Sequence, residues 1–106
     1  MPKYLVQANY VGEGVKGLLK EGGTSQRAAA EKLVKSLGGT LEAFYYAFGE
    51  TDAYVIADLP DNASMAAIAL TVSASGAATV KTTVLMTPED IDEAAKKTPS
   101  YRPPGQ

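Results

Sequence analysis

Polar side chains fall at alternate positions within otherwise apolar runs, and that spacing is where chemistry is to be sought. Gln7 and Asn9 lie in KYLVQANY, Tyr54 and Asp58 in AYVIAD, and Thr79, Lys81 and Thr83 in ATVKTTVL. Successive side chains of a strand point to opposite faces, so each set occupies one side of its strand. The residues between them, Val6, Ala8, Val55, Ala57, Val80 and Val84, are small or branched and suited to lie beneath helices. Polar groups converging with a tyrosine across neighbouring strands make the wall of a small-ligand cavity. Within the set, Lys81 and Tyr54 have the chemistry to move a proton or stabilise an oxyanion. Gln7 and Asn9 would orient a substrate beside them. The same face without a ligand reads as a polar, water-containing interface between two copies.

Whether an aromatic joins this face depends on strand register. The run Leu41–Phe48 carries Phe44, Tyr45, Tyr46 and Phe48, and Gly49-Glu50-Thr51-Asp52 joins it to Ala53–Leu59. Such a polar turn between aromatic and β-branched runs marks a hairpin. A simple four-residue turn sets Phe48 opposite Ala53, which sends Phe44 and Tyr46 under the helices and Tyr45 into the cavity. A bulge would reverse this, because a one-residue slip exchanges the faces. The simpler geometry places Tyr45 with the polar set.

Composition removes most other chemistry. The chain has neither cysteine nor histidine, which excludes a disulfide, a thiolate nucleophile, a histidine base, a histidine haem ligand and an ordinary zinc site. A metal could be held only by oxygen ligands, and no cofactor is expected. Twelve acids against ten bases, a net charge of −2, with Lys and Arg spread along the chain, oppose a nucleic-acid partner. The aromatics at 44–48 could stack bases on a sheet, but they lack the surrounding cations that such a platform needs. No apolar run nears the roughly 20 residues of a membrane span, and MPKYLVQANY has no signal-like apolar region. A cytoplasmic protein without membrane partners is the expectation.

Gly12-Glu13-Gly14-Val15-Lys16-Gly17 matches the spacing of a dinucleotide-binding loop. Glu13 would put a negative charge where the pyrophosphate sits, and the next strand returns as a hairpin instead of continuing a parallel sheet. These glycines read as the easing of a strand-to-helix turn.

The elements that must position the polar set follow in order. Lys3–Tyr10 alternates as a strand. Helical stripes run over Gly12–Gly23 and, capped by Thr24, on to Leu37, with Gly38-Gly39 as the stop. After the hairpin, Asp61 caps a helix to about Ser75, with Gly76 beyond it. That helix is apolar on nearly all sides, so it is expected to meet both the sheet and a neighbour. Ala77–Met86 is the last strand. Thr87-Pro88-Glu89-Asp90 opens a short final helix with Lys96-Lys97 at its negative end. Residues 1–98 form the domain and residues 99–106 an extended tail. The βαββαβ order gives an α+β, ferredoxin-like sandwich with a C-terminal helix. Helices cover one sheet face, and a second copy is the economical cover for the other.

The segments FGETDAYVI, LPDN, KTTVLMTPEDIDEAAKK and YRPPG resemble the GYD domain family of small bacterial and archaeal proteins, over nearly the whole chain. Where the family has Gly-x-Tyr-Asp, this chain has Gly49-Glu50-Thr51-Asp52, so a role of that tyrosine is lost or moved. The resemblance implies a dimeric α/β barrel, two ferredoxin-like units packed sheet to sheet around a cavity. That group includes cofactor-free monooxygenases, decolorising and haem-degrading enzymes, and non-enzymatic members. The expected function is therefore a homo-oligomer that binds a small apolar or aromatic molecule in the cavity, with Gln7, Asn9, Tyr45, Tyr54, Lys81 and Thr83 as its face. Any enzyme built this way would be a cofactor-free, monooxygenase-like or isomerase-like one. The alternative is a non-catalytic structural or regulatory protein, assembling through the Asp61–Ser75 helix and the YRPPG tail.

Overall fold

The alternation of apolar and polar side chains is realised as four strands with one covered and one bare face. The computed structural model describes residues 1–106. Its elements are β1 (Lys3–Tyr10), α1 (Glu13–Glu21), α2 (Gly23–Ser36), β2 (Thr40–Tyr46), β3 (Ala53–Asp58), α3 (Asn62–Ala74), β4 (Ala78–Leu85) and α4 (Pro88–Ala95). The strands form one antiparallel sheet in the order β2-β3-β1-β4. With the two crossovers on one face, this is a ferredoxin-like α+β fold.

The core lies between the sheet and α2 and α3. Tyr4, Val34, Ala57, Leu59, Met65 and Ile68 form a buried cluster, with Val6, Leu33 and Val72 packed against it. Tyr4 is buried whole, and its hydroxyl is satisfied by Asn62 Oδ1 at 2.5 Å, as a buried phenol requires. Only 9 of 106 residues are buried, so a single chain leaves much apolar surface open. Val84 is on the helix side of β4 yet stays exposed. α3 buries Met65 and Ile68 but leaves Leu70 in solvent. The expected neighbour for its outer side is not found within one chain.

Helix termini follow local chemistry, with one correction. Asp61 accepts from the Ser64 backbone N–H at 2.8 Å, and Thr87 and Asp90 form a reciprocal capping box at 3.1 and 3.0 Å. Thr24 does not cap α2. The helix begins two residues earlier than a Thr24 cap implies, with Gly22 as its N-cap and no side-chain bond. Gly22 takes φ 87°, a left-handed turn open to glycine at little steric cost. It donates to Leu18 O at 2.8 Å and accepts from the Gln26 N–H at 3.3 Å, joining α1 to α2 without a side-chain cap.

The hairpin register also differs from expectation. Ala53 pairs with Tyr46, not Phe48. The Ala47 N–H donates to Asp52 O at 2.8 Å, so the four-residue turn is Phe48–Thr51, one residue earlier. The register moves by two, which preserves the faces. A bulge does exist, at Glu42 between Leu41 and Ala43. It lies before the aromatics, so Tyr45 stays on the helix-free face.

Beyond β4 the chain leaves the body. α4 buries no residue. The radius of gyration is 17.1 Å, with extents of 58 × 32 × 23 Å, against about 13 Å for a compact chain of this length.

Candidate functional site

Strand pairing puts Tyr45, Tyr54, Gln7 and Lys81 in one row across all four strands. Gln7 is opposite Tyr54 on β3 and Lys81 on β4, and Tyr54 is opposite Tyr45 on β2. The next rows on this face contain Asn9 with Thr79, and Leu5 with Ile56 and Thr83. All six expected site residues therefore share the helix-free face.

Four of them meet in one pocket. Gln7, Asn9, Tyr54 and Lys81 line a polar concavity of about 260 Å³, together with Thr79, Glu50 and Thr51. Tyr45 and Thr83 lie outside it, Tyr45 on the edge strand and Thr83 one row toward Leu5. Glu50 and Thr51 come from the hairpin turn, which strand alternation cannot place. Thr51 holds the position where the resemblance expects a tyrosine.

The turn reaches this pocket because Asp52 is tied to β1. The Asp52 N–H donates to Ala8 O at 3.0 Å and to Asn9 Oδ1 at 3.1 Å, and its carboxylate accepts from the Tyr10 N–H at 3.0 Å. Asn9 thus spends its carbonyl on the turn and keeps only its amide N–H groups for a ligand.

At the other end of the face, the Lys3 ammonium bridges Glu42 and Asp58, each at 3.0 Å. The Glu42 bond first, then Asp58, raises the Lys3 pKa above its ordinary value. Lys81 forms no ion pair in the chain, which leaves its charge available at the pocket. No group of three or more acidic side chains is placed to hold a metal ion.

The glycine-rich turn before α1 has a packing explanation. A Cβ on Gly14 would collide with the Ala77 backbone carbonyl, and the Val11 N–H donates to the same carbonyl at 3.0 Å.

A four-stranded antiparallel sheet with helices on one face and a polar pocket on the other defines an α+β protein of ferredoxin-like type. The family model of the GYD domain matches residues 4–95, and the chain belongs to that family. No curated protein and no solved structure matches it. No helix is long and apolar enough to cross a membrane.

Proposed function

We propose that this GYD domain protein is a homo-oligomer that binds a small molecule on its helix-free sheet face, with a second copy closing the site. The observation that carries this reading is the convergence of Gln7, Asn9, Tyr54 and Lys81 on one pocket beside an uncovered row of side chains. At about 260 Å³ the pocket of one chain falls just below the size of ordinary ligand sites, roughly 300–1,000 Å³. A facing copy would bring it into that range. The polar lining favours a ligand with an acceptor or anionic group toward Lys81 and a donor toward Glu50, in place of the apolar or aromatic molecule expected above.

Native mass spectrometry of freshly purified protein tests this. A dimer, or a multiple of it, with extra mass that is lost on denaturation supports the reading and weighs the ligand. Lys81→Ala and Tyr54→Ala should then lower the fraction of loaded protein without unfolding it. A bare monomer would overturn the reading.

A second reading is a non-catalytic interaction protein assembled through its C-terminal arm. It is favoured by the projection of α4 and the tail away from the body, with Ile91 and Tyr101 exposed. An eight-residue helix that buries no residue is marginal on its own in water, and a docking partner would stabilise it.

A further inference from the structure

On the helix side, at the hairpin end of the sheet, lies another pocket, of about 510 Å³. α1 supplies Val15, Leu18 and Leu19, the hairpin supplies Tyr46 and Phe48, and Tyr10 belongs to the sheet. The apolar stripe of α1 buries none of its residues. Leu19 is 82% exposed and Phe48 106%, so two large apolar groups at this site have no cover from their own chain. Isolated exposed apolar side chains are unremarkable, but a contiguous set around a concavity marks a binding site.

The polar groups in the pocket narrow the ligand chemistry. Asp52 is the only charged side chain in the lining. The Tyr46 hydroxyl donates to Gly23 O at 3.0 Å, which leaves it only lone pairs to offer. The Tyr10 phenol stays protonated well into the alkaline range. Burial first, then the Tyr46 hydroxyl and the Asp52 charge, push its pKa up to about 12. Beside this O–H, the site presents the Tyr46 oxygen and the Asp52 carboxylate as acceptors, with one negative charge, inside apolar walls.

We propose that this pocket binds a neutral aromatic molecule carrying a hydrogen-bond donor, such as a phenolic hydroxyl or an indole N–H. Its ring lies against Leu19 and Phe48, and its donor meets the Tyr46 oxygen or the Asp52 carboxylate. Aromatic anions are disfavoured, because no cation lines the site to offset Asp52. The site is separate from the polar pocket on the opposite sheet face.

The chain has no tryptophan, so the fluorescence of 2-naphthol can be followed without interference from indole. Titration should give saturable enhancement with the wild-type protein and at least tenfold weaker binding of naphthalene-2-sulfonate. Tyr46→Phe should weaken 2-naphthol binding about fivefold to tenfold, the value of one hydrogen bond. Phe48→Ala should weaken it about tenfold through lost ring contact. Phe48 is wholly exposed, so this variant keeps the fold, as circular dichroism would verify, and it carries the test even if Tyr46→Phe does not fold. Lys81→Ala, on the other face, should leave binding unchanged. Non-saturable enhancement, equal affinity for the sulfonate, or unchanged affinity in Phe48→Ala would overturn the proposal.

Discussion

The Asp52 carboxylate accepts the Tyr10 backbone N–H at 3.0 Å, tying the hairpin turn to the end of the central strand β1. Its own N–H reaches back to Ala8 O and Asn9 Oδ1. The turn is held as a wall between two cavities, with Glu50 and Thr51 on the polar side and Ala47 and Phe48 on the apolar side.

Asp52→Ala should therefore disturb both cavities from one position. Loss of the bond to Tyr10 is expected to cost about 1–3 kcal/mol, the range for a charged acceptor serving a part-buried donor. Asp52→Asn keeps a carbonyl acceptor and should cost less. Urea unfolding of the three proteins gives the comparison, and equal midpoints for wild type and Asp52→Ala would show that the tie contributes nothing.

Tyr4 lies at the centre of the core, with its hydroxyl on Asn62. Tyr4→Phe keeps the ring and removes the bond, for an expected loss of about 1–2 kcal/mol. Each kcal/mol lowers the melting temperature by about 4–8 °C in a domain near this size. A melting curve unchanged within error would mean that water replaces the lost donor.

Tyr10 should give up its proton late in an alkaline titration. With its pKa pushed up to about 12, it gives up its proton later in the folded than in the unfolded chain. Its contribution to stability is full below the unfolded value of about 10 and is lost as pH rises toward 12. Tyrosinate absorbance should show a late component that is lost in Tyr10→Phe. A high-pH limb unchanged by that substitution would contradict the partial burial of this ring.

Exposed Asp61 and half-buried Lys3 act on opposite limbs of the stability profile. Asp61 is held below its ordinary 3.8 by the Ser64 hydroxyl and then the Ser64 N–H. Its stabilisation is present above that value and fades as acid protonates it. Lys3 is raised above 10.5, so its bridge is intact below that value and is lost as pH rises through the folded pKa. Asp61→Asn should keep the helix cap yet flatten the acid limb, whereas Lys3→Met should flatten part of the alkaline one. Urea midpoints measured across pH would read both changes.

Deleting Ser100–Gln106 should leave the melting temperature unchanged, since every tail residue is exposed. If the arm assembles copies, the same deletion shifts the oligomer distribution in size-exclusion chromatography with light scattering. An unaltered distribution would remove the tail from assembly.

Much of this protein is determined by local rules that a sequence carries openly. The period-two alternation of β1 assigned its faces, and the caps at Asp61 and Thr87 placed two helix starts, because each depends on neighbouring residues alone. The same alternation placed Gln7, Asn9, Tyr54 and Lys81 on one side, and Tyr45 with them. Tertiary structure decided what depends on distant partners. The turn closed at Ala47 and Asp52 because β1 claims the Asp52 N–H and carboxylate, which no local pattern around Gly49 reveals. The bulge at Glu42 falls beside Lys3, whose ammonium bridges Glu42 to Asp58 across the sheet. Glu50 and Thr51 entered the polar pocket, and Tyr10, Tyr46 and Asp52 the apolar one, because folding brings the hairpin end against β1 and α1, segments far apart along the chain.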